Sequence, residues 1–501
     1  MSASAVITPL FVAVPLGAAF LTALLARRWG RLADGLGLTA TFVTMGMAFA
    51  ALGLAQEGRA AIHPMGGWEP PVGISMVMDG LTLFLLVIVN LVAFVTALYS
   101  INYMQAFTAK WQFHTLFLLM LAGMNGVVVT GDLFNLYVFL EIAAAASYAL
   151  VAFGTERHEL EAAFKYAIMS TLGSLSVLLG IAILYSATST LNMADVAREL
   201  QGHEGTGIPA LAGVLFVAGF GLKAALAPFH AWLPDAHPSA PAPISAMLSG
   251  VFIKSLGVYA LCRVVFNVLG APPLLLSVLL ALGALSMLVG VFLAVGQWDF
   301  KRLLAYHSIS QIGYVVVGIG LATPLGLLGG LFHLFNHSIF KSLLFLNAGA
   351  VEWATGTRDL RQMGGLGRQL PVTSGTTLAA SMSIAGVPPF NGFWSKLIII
   401  VAAVDAGRYG YAVCAVVVSV LTLASFMKVL KYAFLGPTPD MWKGIREVPF
   451  LMKSAMLVLA AICVGGGLLL LPGLGGSCLA WAVEVLEPGS WIAEMPLEEG
   501  R

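Results

Sequence analysis

Apolar residues in this chain do not alternate with polar ones at the spacing of amphipathic helices or half-buried strands. They run on in long blocks. A helix needs about 20 apolar residues to cross the hydrocarbon core of a bilayer, and blocks of that length recur about fourteen times. Their limits fall near 5–26, 33–54, 78–102, 112–131, 133–154, 163–187, 208–233, 242–266, 272–296, 303–321, 325–351, 371–402, 409–434 and 453–472. Two segments break the rule. Leu191–Leu200 (LNMADVAREL) is too short and too charged to cross and predicts a surface-lying amphipathic helix. The tail Ala480–Pro488 (AWAVEVLEP) predicts another. The first block has neither a basic leader nor a small-residue cleavage site, so it is expected to be a retained helix.

Composition fits this pattern. Of 501 residues 59% are hydrophobic and 10% are Asp, Glu, Lys or Arg, against about 25% charged in a soluble domain. Water-soluble and disordered classes are excluded, and an all-α polytopic membrane protein is expected. A net charge of +1 offers no patch for nucleic acid. The four cysteines, Cys262, Cys414, Cys463 and Cys478, stand far apart without a C-x-x-C pair. No structural metal, iron–sulfur centre or disulfide is therefore expected, and no cofactor of any kind.

The sparse charges can be sorted one by one. Loops after odd-numbered spans hold fourteen Lys and Arg; loops after even-numbered spans hold four, Arg59, Arg198, Arg263 and Arg408. The bias predicts that odd loops are cytoplasmic and both termini lie on the outer face of the plasma membrane. With Arg501 set aside, six of the 25 basic residues remain, all inside spans: Lys165, Lys223, Lys254, Lys341, Lys396 and Lys428. Among the acids, Glu141 alone lies deep within one. Charge at membrane depth is costly unless paired or wetted. Lys428, six residues from a span end, fits a snorkelling side chain; for the others the choice is between structural ion pairs and ion or proton handling.

Prolines narrow that choice. Span seven reads GLKAALAPFHAW (Gly221–Trp232) and span twelve SIAGVPPFNGFWSK (Ser383–Lys396). Each carries Pro-Phe, then His230 or Asn391, then a tryptophan, with Lys223 or Lys396 nearby. Matching interrupted helices in two halves of a chain point to a transport site. The breaks lie five spans apart, and an odd number of helices per repeat inverts the second copy. The expected layout is N-terminal helices over 1–110, inverted five-helix units over 111–268 and 269–436, and a last helix with tail over 437–501.

In span eleven His333, His337 and Lys341 recur every four residues and share a helix face. Two such histidines could bind metal, but no convincing acidic or thiol partner is present; proton passing to a lysine suits groups that titrate near neutral pH better. His307 extends that line toward the cytoplasmic face, and His114 is either an access residue or a packed interfacial one. A Lys223–Glu141 pair that forms and breaks would switch the proton affinity of Lys223, with Lys254, the His–Lys run and Lys396 carrying the proton onward. His230 and Lys165 are secondary candidates.

At these motifs the chain resembles a known family. GDLFNLYVFLEI (Gly131–Ile142), FKY (Phe164–Tyr166), KAALAPFHAWLPDAHPSAPAPISAMLSGVFIKSLGVY (Lys223–Tyr259), KRLLAYHSISQIGY, HLFNHSIFKSLLFLNAG and GVPPFNGFWSK are similar to the antiporter-like subunits of respiratory complex I and of Mrp cation/proton antiporters. The resemblance covers roughly residues 75 to 435. It implies fourteen helices, inverted repeats, broken seventh and twelfth helices, and proton transfer along a central polar axis. By that likeness Glu141 and Lys223 match the family's glutamate–lysine pair. Lys254 matches its eighth-helix lysine, His333 and His337 its eleventh-helix histidines, and Lys396 its twelfth-helix lysine. The histidine and glutamine of AYHSISQIGY and the tail AWAVEVLEPGSWI look most like the Mrp D branch. The implied function is a proton-translocating subunit of a multisubunit Na+/H+ antiporter. The alternative is the same subunit in a redox-driven complex (complex I-like NADH:quinone oxidoreductase, membrane-bound hydrogenase or formate hydrogenlyase), with all redox chemistry in partner chains. A lone carrier for an organic solute is disfavoured, since a lysine row offers no solute pocket. No acidic cluster suggests a sodium site, so any sodium path is expected in a partner chain.

Overall fold

The computed structural model describes residues 3–54, 60–203, 207–471, 476–487 and 491. Arg59, Arg501 and the end of the predicted tail helix, Pro488, lie outside the described residues. Among the described residues eleven helices are long and apolar enough to cross a membrane, so the chain is a multi-pass membrane protein. Ordered along the chain with the shorter crossing segments, the helices are α1 (Ala5–Leu25), α2 (Gly30–Gly53), α3 (Gly80–Ala106), α4 (Lys110–Val129), α5 (Leu133–Val151), α6 (Arg157–Thr188) and α7 (Ile208–Lys223). There follow α8 (Ala242–Val268), α9 (Pro273–Val295), α10 (Phe300–Gly320) and α11 (Pro324–Thr355). Last come α12 (Pro371–Ala385), α13 (Asn391–Asp405), α14 (Tyr409–Phe434) and α15 (Phe450–Leu470).

The predicted spans that fall short of that standard do so for local reasons. The apolar block of span seven extends to residue 233, but α7 stops at Lys223 and regular helix resumes at Leu233–Ser239. Span twelve is divided into α12 and α13, of 15 residues each, around Gly386–Phe390. Helix α11 has length enough, at 32 residues, but Asn336, Asn347, His333, His337 and Lys341 lower its hydropathy.

Local chemistry sets the boundaries. Asp79, Asp132 and Asp299 cap α3, α5 and α10 by accepting the amides of Thr82, Asn135 and Arg302. In α1, Pro15 has no N–H to give to the carbonyl of Phe11 four residues earlier. The Asn125 amide of α4 donates to that carbonyl at 3.0 Å and pairs reciprocally with Asn90 of α3 at 3.1 Å. Three helices are thereby tied by groups that would otherwise be unsatisfied in hydrocarbon. Between α9 and α10 the backbones approach so closely that a Cβ on Gly290 would lie 2.5 Å from the amide nitrogen of Ser310.

Helices α8 and α10 form the inner pillar: the apolar windows of the two are 100% and 94% buried, against 33% for α2. Much of α8 is wound as a wide π-helix over Leu248–Tyr259, a form that clusters at functional sites. A short hairpin, β1 (Ala61–Pro64) with β2 (Ser75–Met78), covers the end where α3 begins. The segment expected to lie on the surface as Leu191–Leu200 forms the helix Met193–Glu199, which buries Met193, Ala194, Val196 and Ala197. The tail forms a helix at Gly476–Glu484, four residues earlier than expected.

Two basic residues that group with the loops in the sequence lie inside the fold. Arg263, counted with the loops, is buried within α8 and grips Asp79 through two hydrogen bonds of 2.7 and 2.8 Å. Trp491 donates to the same carboxylate at 3.0 Å. Lys301, also counted with the loops, is buried in α10 and paired with Glu352 of α11 at 2.9 Å.

Candidate functional site

Each helix break presents carbonyls that no longer have helical partners. After α7, the indole of Trp232 returns to donate to the carbonyl of Leu222 at 3.0 Å, held there by stacking on Tyr166 at 4.3 Å. Lys223, the last residue of α7 and 1% exposed, is placed by this turn. Its ammonium donates to the Ser170 hydroxyl at 2.6 Å and stands 3.7 Å from the Glu141 carboxylate. Ser174 donates to Glu141 from one turn further along α6. The predicted pair is therefore assembled by α5, α6 and α7 together.

After α12, Lys396 itself crosses the break. Its ammonium donates to the carbonyl of Ile384 at 2.7 Å and lies 3.3 Å from the Ser419 hydroxyl. It also sits 4.8 Å above the ring of Tyr314. The end of α12 carries the negative pole of the helix, which favours a cation there. A cavity of about 250 Å³ opens beside Lys396, between α13 and α14, lined in part by Gly386, Phe393 and Ser419.

Tyr314 links this lysine to the histidines of α11. The rings of Tyr314 and His333 are 5.4 Å apart, those of His333 and His337 6.4 Å. His333 Nδ1 shares a hydrogen bond of 2.9 Å with Ser395, the neighbour of Lys396. Lys341, two turns beyond His333, donates to the carbonyl of Leu304. Lys254 donates to the carbonyl of Ser249 within the π-helix. His307 shares a hydrogen bond of 2.8 Å with Ser425. Lys254, Lys341, His333, His337 and His307 are all fully buried. Both nitrogens of His337, Nε2 of His333, Nδ1 of His307 and the whole amide of Gln311 are buried without protein partners. Polar atoms in that state call for water, and water between side chains is what a proton needs to move along them.

The two secondary candidates stand apart. Lys165 is 51% exposed and pairs with Glu161 at 2.8 Å and Asp235 at 3.4 Å. His230 lies half-buried in the first break, with Nδ1 unpartnered. Lys428 donates to the carbonyls of Val295 and Gln297, as a snorkelling lysine does. His114 is packed, not open: it shares Asp34 with Lys110, each at 3.0 Å.

Several buried polar residues carry no signal in the sequence. Ser170, Ser174 and Tyr314 look like ordinary helix residues without neighbours to compare. His237 is hidden in a proline-rich stretch that reads as a loop, yet it is fully buried and has two unpartnered nitrogens.

A many-helix membrane scaffold with two broken helices and a buried row of lysines and histidines defines a class: ion-translocating membrane proteins. Comparisons with known proteins give the family. Residues 130–422 match the family described as NADH:quinone oxidoreductase/Mrp antiporter, TM, and residues 69–114 match the N-terminal family of complex I chain 5. The chain belongs to the former family. It is 39% identical over 439 residues to the N subunit of the NADH-quinone oxidoreductase of Desulforudis audaxviator, covering 86% of this chain and 87% of that one. It is 36% identical over 402 residues to the D subunit of the Na(+)/H(+) antiporter of Alkalihalophilus pseudofirmus, covering 79% and 81%. Among solved structures, a chain of the Mrp complex from Dietzia sp. DQ12-45-1b superposes with a TM-score of 0.89 at 31% identity, covering 99% of each chain.

Proposed function

We propose that this chain is the proton-translocating D-type component of an Mrp-type Na+/H+ antiporter. The observation that carries the proposal is the Lys223–Glu141 pair at a helix break, in the same chain as a buried row of Lys254, Lys341, His337, His333 and Lys396. Separation of the pair removes the carboxylate that holds the proton on Lys223, and the freed proton moves through the row toward Lys396. Glu141 also supports the multisubunit setting. Its side chain is 35% exposed on the flank of α5, and a carboxylate at that depth needs protein or water over it, not lipid. The two breaks support inverted units over 111–268 and 269–436, flanked by 1–110 and 437–501. The bias of Lys and Arg supports a plasma-membrane orientation with the basic face cytoplasmic and both termini outside.

The test is Lys223→Ala in the assembled complex, with Na+-dependent proton movement followed in inverted vesicles. Loss of transport with all partner chains retained is expected; wild-type transport overturns the reading. A second reading, the same protein in a redox-driven complex, is favoured by the 39% identity to the N subunit of a quinone oxidoreductase. Mass spectrometry of co-purified partners separates the two: further Mrp-type membrane chains support the first, redox chains the second.

A further inference from the structure

The side chains of Lys254, Lys341, His333 and His337 are shut off from both faces of the protein. A proton from water on the basic face must cross another group to reach them, and His237 is a buried titratable group packed against α11. It belongs to the short helix Leu233–Ser239 that follows the first break. The Ser245 hydroxyl holds its carbonyl at 2.7 Å, and its ring lies 4.9 Å from that of Phe345, one turn beyond Lys341 on α11. Neither ring nitrogen has a protein partner, although the residue is completely buried. An imidazole in that state needs water on both sides.

On the side toward the basic face, the chain just after His237 is clasped by two cations. Lys301 donates to the carbonyl of Ala240 at 3.2 Å and Arg358 donates to that of Pro238. Lys301 is buried and paired with Glu352 at 2.9 Å; Glu352 is 29% exposed and lies 3.6 Å from Arg358. Glu352 is part exposed and Lys301 is buried behind it, holding the chain three residues after His237; on the other side of His237, Phe345 packs against its ring and lies 5.5 Å from the Lys341 ammonium.

We infer that His237 is the uptake relay of the row, passing protons from the Lys301–Glu352 pair at the basic face to Lys341 and Lys254. A neutral imidazole has one bare nitrogen and one N–H. The bare nitrogen takes a proton through water from the Lys301 side, and the opposite nitrogen releases its own through water to an interior lysine. The ring is neutral before and after, and one proton has advanced. His307 is the competing route. One of its nitrogens is engaged by Ser425, however, and its neighbour on the surface side, Lys428, is held by backbone carbonyls and has no carboxylate pair among the described residues.

The inference rests on the proposed transport function, and the experiment separates the two. Four variants of the complete complex are compared in inverted vesicles by initial rate of proton movement: His237→Phe, His237→Gly with and without added imidazole, His307→Phe, and Lys223→Ala. Expected are a fall of at least about tenfold for His237→Phe, partial recovery of His237→Gly by imidazole, and a smaller effect for His307→Phe. Recovery by imidazole is a readout that a packing role would not produce. If the Phe variant does not assemble, His237→Gln replaces it, keeping a polar side chain that cannot take a proton. Wild-type rates in the His237 variants alongside a silent Lys223→Ala overturn the relay alone, as does an assembled His237→Gly that imidazole leaves unchanged. Wild-type rates in Lys223→Ala overturn the transport reading beneath it.

Discussion

The two helix breaks hold their lysines in different ways. Lys223 ends its own helix and faces a carboxylate at 3.7 Å. Lys396 starts from the far side of its break and reaches back to the carbonyl end of α12, with the Ser419 hydroxyl and the Tyr314 ring as its other neighbours. Both cations use a helix C-terminus, but of the two Lys223 alone has an acidic partner among the described residues. The first break can thus change the proton affinity of its lysine by moving a charge. The second can do so only by changing its solvation, or through a charge supplied by another chain beside the cavity at Lys396.

The largest effect should follow from removing the charge that makes the first break different. Glu141→Gln keeps the shape and a hydrogen-bond acceptor for Ser174 but leaves Lys223 without its carboxylate. Proton transport is expected to fall at least about tenfold. The double variant with Lys223→Ala should be no worse than Lys223→Ala alone, because the two residues act as one unit. Additive losses in this cycle, measured in vesicles with equal content of the complex, would show that the pair is not the switch.

A smaller effect is expected at the second break. Tyr314→Phe keeps an aromatic face under Lys396 and removes the hydroxyl that donates to the Ala415 carbonyl. Tyr314→Leu removes the face as well. A cation–π contact of this kind contributes about 0.5–2 kcal/mol, so the Leu variant should lose several-fold more transport than the Phe variant. Equal losses would mean that the hydroxyl, not the ring, supports Lys396, and the contrast between the breaks would have to be redrawn around that hydrogen bond.

Legibility in the sequence followed the cost of burying charge. Lys223, Lys254, Lys341 and Lys396 stand out because each lies in a long apolar run, and a run that tolerates lysine must have a reason to do so. The breaks stand out because proline cannot donate a helical hydrogen bond. The same rule misleads where apolar runs end. Lys301 and Arg263 sit near span limits and group with loops, yet both are buried and paired across the fold, with Glu352 and Asp79. His237 escapes notice because a stretch of five prolines in Pro228–Pro243 lowers the apparent order of a segment that the fold tucks inside. The opposite error affects Lys165, which lies in an apolar run but turns to the surface. Pairing across distant segments and the rotation of a helix about its axis are set by tertiary packing, and hydropathy along one chain does not contain them.

Lys165 provides the smallest expected effect and the sharpest check on what distinguishes the first break. It shares α6 with Ser170 and Ser174, which touch Lys223 and Glu141, but its ammonium points to Glu161 and Asp235 and is half exposed. Exposed pairs of this sort contribute about 0–1 kcal/mol, and Asp235 keeps a second cation in Arg302 at 3.7 Å. Lys165→Ala should therefore leave transport within about twofold of the parent. A loss as deep as that of Glu141→Gln would extend the switch from a buried pair to a surface chain of Glu161, Lys165 and Asp235. The first break would then differ from the second by its access to that flank of the molecule as well as by its carboxylate.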